Sequence, residues 1–560
     1  MEEKLSLCEN HTQVCHPMAR EHFIPNRLID VSNDALKIVP KREIWQGPET
    51  FDRRYAALSY CWGKKEDALA QAKLTAANMA QRLQNFEFSE LTISIQESIM
   101  VTRALGLRYL RVDALCIIQG AGSDWAIQCA IMDKIYRNAY VTVCALGSAS
   151  CRQGFLQKRA KMILPFQSRL HPSITGSFAV DQPVIRETGH CLDPWSMDYD
   201  VAESNWDDRG WTFQENVLST RMLLFGKRSV HFSCSEFHVS KQCRHWAGSE
   251  SFQFPSAKHM EYDRVELYDR WSSRLVTSYT DRTKTLTVGT DVLPAFAGLW
   301  KGDLHRALVW MRVEAADDRV WLDGLLSPRT YMGPSWSWAR LAHMCDGVAF
   351  PMYQVGEYAV FSHTRCQPEY DLHHFEATSS GPNQFGAVSN GVLEITAKSL
   401  SLKSSMSTTQ EQAAWCDESI FRLQCDGTTT VDIQLDFECL RNDIVMVTLG
   451  VEGSRLRLIL IGSTIEEPKA NEFCEDDAES DEWIECRIDH NEQSGVRHPI
   501  EGKQPLRPIA KKDRTAYGLV IYPTLVSGEF YRVGIFFSTP QSGAGPDIFD
   551  LSHTERISIV

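Results

Sequence analysis

The sequence predicts an α/β protein with an open parallel sheet near its N-terminal side, a mixed helical and β region after it, and a β-rich C-terminal domain. Two patterns carry this expectation. From Tyr109 a short apolar strand, a helix and the β-branched run YVTVCAL (140–146) follow one another, and the crossover in such a βαβ unit makes its two strands parallel. After Gly391 the runs GVLEITAKSLSL and TTVDIQLDF alternate by two, and DIVMVTLG, RLRLILIG, AYGLVIYP and FYRVGIFF follow, as expected of a small sandwich or barrel. A chain of 560 residues is too long for one core at roughly 150 residues per domain. The expected division is an extension over 1–50, a first domain over 51–225, a mixed region over 226–385 and a β-rich domain over 386–560, with an acidic insertion at 464–500.

Taken in order, YAALSY (55–60) is an apolar run broken by CWG. A polar helical stretch spans about 74–84, and a second helix starts at Ser94, with Ile95, Ile99, Thr102 and Leu105 at helical spacing and Gly106 placed to end it. Tyr109 to Val112 reads as a buried strand despite Arg111. Gly120 and Gly122 make a turn, and Ser123 is placed to cap a helix whose apolar face holds Ile127, Ile131 and Ile135. RMLLF (221–225) and SVHFSC (229–234) form a hairpin around Gly226, and further helices are expected over 259–279 and 292–300. An open parallel sheet binds ligands beyond the carboxyl ends of its strands. Two loops therefore stand out: CWGKK after the first strand and DALCIIQGAGSDW after Val112.

The composition is that of an ordinary soluble protein, 43% hydrophobic and 23% charged, with fifteen tryptophans that predict aromatic-heavy cores. The N-terminal segment has acids where a signal peptide needs a basic start, and no run reaches the ~18 apolar residues of a membrane span. A soluble, cytoplasmic chain is expected, and its 17 cysteines read as reduced thiols. Two Cys/His groups, Cys8–His11–Cys15–His16 and Cys234–His238–Cys243–His245, lack the CxxC knuckle of zinc sites, and no metal is expected. Of the formal charge of −14, −10 falls between Glu466 and Glu492, a run that reads as a solvated insertion. The absence of a basic stripe with interleaved aromatics argues against nucleic acid as a partner.

Three stretches in order resemble the fungal heterokaryon-incompatibility (HET) domain: YAALSYCWG (55–63), LGLRYLRVDALCIIQG with SDW and MDKIYRNA (105–139), and RGWTFQENVLSTRMLLF (209–225). PSWSWA (334–339) and YRVGIFF (531–537) are similar to the region often found downstream. The resemblance implies a protein of fungal non-self recognition and programmed cell death, partnered by self-association or by another incompatibility protein. It also implies a TIR-like, flavodoxin-like fold, some relatives of which cleave the nicotinamide bond of NAD. Two functions stay open: a death effector that consumes NAD, and a non-catalytic recognition or regulatory protein that associates with active HET partners.

Cleavage of that bond passes through an oxocarbenium-like ribose, which calls for a nearby carboxylate. The relatives are expected to place a glutamate in a DWxxE pattern, and here the pattern reads DWAIQ, with Asp124, Trp125 and Gln128. An amide can hydrogen-bond a ribose but supplies neither base nor counter-charge, and losing such a group costs on the order of 10²–10⁴ in rate. Either the cleft is a weakened one or Gln128 is an ordinary helix residue. Asp113 is the best remaining carboxylate, or else only a turn cap. Asp124 is assigned to the helix dipole, while Glu215 either reaches across the domain or pairs with Arg209. Cys116 has no histidine between His22 and His171 to activate it. Tyr60, Trp62 and Gly63 form the other lip, with Trp125, as the expected NAD-binding residues, the aromatics for ring stacking and the glycine for close backbone approach. Packing is the alternative for the aromatics, and Trp211, Trp336 and Trp338 are assigned to packing. Arg111 and Gly120 depart from the family pattern, which has an aromatic and an acid there.

Overall fold

The structure, a computed structural model, describes residues 5, 8, 23–47, 52–120, 122–156, 162–180, 197–234, 238–240, 276–283, 286, 308–312, 333–340, 348–349, 365–379, 388–402, 407–409, 420–425, 429–437, 440, 455–468, 506–540, 545–550 and 552–560. The N-terminal sheet is built from β1 (Arg27–Asp30), β2 (Lys37–Pro40), β3 (Tyr55–Ser59), β4 (Tyr109–Arg111) and β5 (Val141–Cys144). A separate hairpin, β6 (Met162–Gln167) and β7 (Thr175–Val180), follows, and the sheet continues with β8 (Arg221–Phe225), β9 (Val230–Cys234) and β10 (His238–Ser240).

Its spatial order is β10-β9-β8-β5-β3-β4-β1-β2. The four inner strands β8, β5, β3 and β4 are parallel, and the pairs at either edge are antiparallel. Strand β3 is buried at all five positions, which explains why YAALS is apolar without alternation: a central parallel strand is covered on both faces. As expected, β4 and β5 run parallel, but each pairs with β3 and not with the other. The sheet also takes strands from outside 51–225, since β1 and β2 precede that range and β9 and β10 follow it.

The α-helices among the described residues include α1 (Lys41–Gln46), α2 (Lys65–Ala70), α3 (Met79–Arg82), α4 (Ile93–Ala104), α5 (Asp113–Cys116), α6 (Gly122–Cys129), α7 (Met132–Asn138), α8 (Met197–Ala202), α9 (Gly210–Leu218) and α10 (Thr277–Thr283). Helix α4 ends as expected before Gly106, whose φ of +68° suits glycine. The long helix expected from Ser123 is instead two, α6 and α7, broken at Ala130–Ile131. The break turns Ile127 out to 48% exposure while Ile135 is fully buried, so the predicted apolar face does not run through both. The polar helix expected over 74–84 is the single turn α3. Of the later helices, α10 overlaps the end of 259–279; the rest of that stretch and all of 292–300 lie outside the described residues.

Five C-terminal strands close on themselves. Val388–Ser401 pairs with Arg457–Pro468 and with His553–Ile559; Glu529–Ser538 pairs with His553–Ile559 and with Ala516–Pro523, which returns to Arg457–Pro468. Such a ring of pairings is a barrel, which leaves those strands no open edge. The acidic run after Pro468 lies outside the described residues. Trp336 and Trp338 are buried, in line with their assignment to packing. Arg532 is buried against Asp436 with its guanidinium 3.5 Å from the centre of the Trp310 ring. Among the described residues, no helix is long and apolar enough to cross a membrane.

At the β8–β9 hairpin, Asp200 accepts hydrogen bonds from the Ser229 and Arg228 amides at 2.9 and 3.2 Å and meets His231 Nε2 at 2.9 Å. Burial works to raise its pKa, but the hydrogen bonds from His231 and Ser229 outweigh that and hold the carboxyl below its ordinary 3.8. A lowered carboxyl pKa contributes stability above the unfolded value and loses it as pH falls through the folded one. Urea denaturation of Asp200→Asn should therefore show a loss at pH 7 that shrinks below about pH 4; an equal loss at pH 3 and pH 7 would remove the carboxylate from this account.

Candidate functional site

The chain order of the parallel strands reverses at β3, whose two neighbours β4 and β5 come next in sequence. A cavity of about 210 Å³ opens beyond the carboxyl ends of β3 and β4, where open α/β sheets bind ligands. Leu58 lines it from β3, Tyr60 and Trp62 from the first loop, Asp113, Ile117 and Gln119 from the second, and Trp125, Cys129 and Met132 from α6 and α7. Helix α9 closes the opposite side with Arg209, Gly210, Trp211 and Glu215, and Leu286 completes the wall. Cavities that bury whole drug-sized ligands run to roughly 300–1,000 Å³, so this one has room for part of such a molecule.

Two carboxyl groups line this cavity. Asp113 opens α5, directly after β4 and Val112, and its Oδ1 lies 3.0 Å from Nη2 of Arg111, whose side chain is 1% exposed. Burial raises the Asp113 pKa, against the opposing pull of Arg111 and Arg209. The arginine that departs from the family pattern is thus the partner of the aspartate. Glu215, buried on α9, accepts a hydrogen bond from Ser59 at the end of β3 and another from Tyr136. The Ser59 hydroxyl in turn accepts the Trp206 indole N–H at 2.6 Å. Burial first, and the charge of Asp113 second, push the Glu215 pKa from 4.5 to about 8. At neutral pH the pair therefore carries a proton, and Glu215 becomes free to accept one only as pH rises toward about 8.

Arg209 stands at the start of α9 and donates from Nη1 to the Tyr60 carbonyl at 2.7 Å, fastening the CWG loop to the helix. Tyr60 is buried and donates to Gln71 Oε1 at 2.6 Å, while Trp62 lies under Lys73 at 5.4 Å. Trp125 and Trp211 meet edge to face at 6.2 Å. A lining that combines Tyr60, Trp62, Trp125 and Trp211 with the acids Asp113 and Glu215 suits a flat ring carrying positive charge.

Tyr60, Trp62, Asp113 and Trp125 therefore share one cavity, as the sequence predicts. Gly63 and Gln128 do not line it. Gly63 has φ +85°, and a β-carbon there would stand 2.7 Å from Ser150 and 2.9 Å from Asp67, so its role is tight packing of the loop. Gln128 is fully buried, and neither atom of its amide has a hydrogen-bond partner in the structure. Asp124 holds Arg27 at 2.7 Å and the Ile118 amide at 2.7 Å; it ties the second loop to β1 and does more than complement a helix dipole. Burial raises the Cys116 thiol, the state of an inert cysteine. Of the two Cys/His groups, Cys8, Cys234 and His238 are described, and Cys8 Sγ accepts from Arg221 Nε at 3.1 Å; the other members lie outside the described residues.

Arg209, Trp211 and Glu215 also line the cavity, although the sequence points to them only weakly. The signal was present: Trp211 and Glu215 are four apart on a helix and so share a face, and Arg209 stands just before its first turn. Assigning Trp211 to packing hid the face that the structure turns toward the cavity.

Residues 55–215 match the family described as Heterokaryon incompatibility protein (HET). The chain carries a heterokaryon-incompatibility domain, and the cavity is built from that domain with one added residue, Leu286. No curated protein and no solved structure matches the chain.

Two predictions test this geometry. Because the raised Glu215 pKa makes the folded state hold its proton more tightly than the unfolded chain, stability should fall as pH rises from 4.5 toward about 8. Glu215→Gln should remove that slope and be the more stable form at pH 8, by thermal melts across the range; an unchanged slope would contradict the burial of the acid. Leucine at 128 relieves the unpartnered amide, so Gln128→Leu should stabilise by about 1–3 kcal/mol, while Gln128→Glu should cost on the order of 3–5 kcal/mol as an uncompensated buried charge. Urea titration decides, and a stabilising glutamate would return position 128 to the site.

Proposed function

We propose that this chain is a heterokaryon-incompatibility protein acting in the fungal cytoplasm in non-self recognition and programmed cell death, and that its cavity takes the nicotinamide end of NAD. The observation that carries the reading is the convergence of Asp113 and Glu215 on an aromatic-walled cavity at the carboxyl ends of parallel strands. The order β4-β3-β5-β8 supports a TIR-like reading, because it is the flavodoxin-like order with its switch point beside the first strand. Self-association, or association with another incompatibility protein, is the proposed trigger.

The chemistry asks little of the protein beyond placement and charge. When the glycosidic bond breaks, its electron pair stays on the nicotinamide nitrogen and cancels the ring's positive charge, so the ring leaves without needing a proton. The ribose becomes oxocarbenium-like, and the carboxylate of Asp113 stabilises it. Water bonds to the anomeric carbon and passes its proton to ionised Glu215. The residue at 128 plays no part in this scheme, so its being an amide does not weaken the site.

Nicotinamide release from NAD by the purified chain, followed by chromatography, tests the reading. The rate should rise with pH up to about 8, and Glu215→Gln should lower it on the order of 10²–10⁴-fold. Asp113→Asn should do likewise, and it is preferable to alanine because it keeps a polar partner beside buried Arg111. Wild type that neither binds nor cleaves NAD would overturn the reading in favour of a non-catalytic recognition protein.

A further inference from the structure

All the residues lining the cavity fall within 55–215 except Leu286. Leu286 also fills the space over the first turn of α9, where a β-carbon on Gly210 would stand 2.8 Å from its Cδ2. Nearby α10 grips the same helix from outside the family segment. Arg282 bridges Asp207, just before α9, at 2.7 Å and lies over the Phe213 ring at 5.2 Å. Phe213 packs on Tyr279 with centroids 5.5 Å apart, and Tyr279 meets Trp338 edge-on at 6.1 Å.

From there the packing continues into the barrel. The Trp310 indole donates to the Trp336 carbonyl at 3.0 Å, and Trp336 packs at a tilt against Phe375 at 5.1 Å, on the strand Tyr370–Ser379 that pairs with the barrel strand Val388–Ser401. The Ser335 amide donates to the Val560 carbonyl at 3.0 Å, beside the strand His553–Ile559. A continuous series of packed groups therefore links the barrel to the helix that carries Trp211 and Glu215. Rigid, close-packed series of this kind transmit displacement, because packed cores have little room to yield.

We propose that Leu286 is a specificity-determining wall of the cavity, supplied by the downstream region, and that α10, through Arg282 and Tyr279, is the positioning element that holds α9 against the cavity. The downstream region then sets how far the site stands open, and the family segment without it has a cavity lacking one side. The proposal rests on the cavity being a ligand site but not on the ligand being NAD.

Cys129 provides a test that needs no ligand. It lines the cavity and is 4% exposed, whereas Cys116 is fully buried and lies off the wall. Iodoacetamide labelling of both thiols in the full chain, read by peptide mass spectrometry, reports opening at the cavity against opening of the domain. Leu286→Ala should speed Cys129 labelling about tenfold, as expected of local opening, with Cys116 unchanged. Leu286→Met should restore the wild-type rate, and Arg282→Gln should speed Cys129 in the same selective way. Unchanged Cys129 labelling in Leu286→Ala removes the wall, and unchanged labelling in Arg282→Gln removes the positioning element. A parallel rise at Cys116 would show general loosening and overturn both. Failure of NAD to bind leaves these outcomes intact, so the two proposals fail separately.

Discussion

Ser59 is the last residue of the central strand, and its hydroxyl is shared between the Glu215 carboxyl and the Trp206 indole. This small knot joins the carboxyl end of β3 to α9. Without it a buried glutamate would lose a donor that eases its burial, and the helix would lose its register against the sheet. Everything at the site follows from that constraint. Once α9 is fixed there, Arg209 reaches the Tyr60 carbonyl, Trp211 turns toward Trp125, and the acid stands in the field of Asp113.

The two carboxyls differ in a way that suits divided roles. Asp113 keeps an arginine at contact distance and a second one nearby, so negative charge on it is compensated. Glu215 is bonded to hydroxyls and is pushed upward both by burial and by the charge of its neighbour. Like charges close together resist joint ionisation. One group therefore supplies charge while the other exchanges a proton.

The parallel strands and the two ligand-bearing loops were legible in the sequence because a buried central strand is apolar without alternation and a βαβ crossover fixes direction. YAALS and YVTVCAL made both features plain. What could not be read was which side of each helix faces the cavity. Ile127 fits an apolar face by spacing, yet the break at Ala130–Ile131 turns it to solvent. Gln128 stands in the DWAIQ pattern, yet the fold buries it off the cavity wall, while Glu215, remote in sequence, arrives through α9. Pairings between distant segments, such as Ser59 with Glu215 or Arg27 with Asp124, have no local signature. The alternation after Gly391 announced strands but not which of them would close the barrel.

The downstream half is more than an appendage, since the aromatic series from Trp336 to Phe213 ends on the site helix. Its physical effect depends on Glu215 being held where the structure has it, buried and bonded to Ser59. Carbon-13 NMR titration of the glutamate carboxyls, with Glu215 assigned by comparison with Glu215→Gln, measures that state directly. The account predicts one carboxyl titrating near 8; a Glu215 midpoint close to the ordinary 4.5 would contradict it.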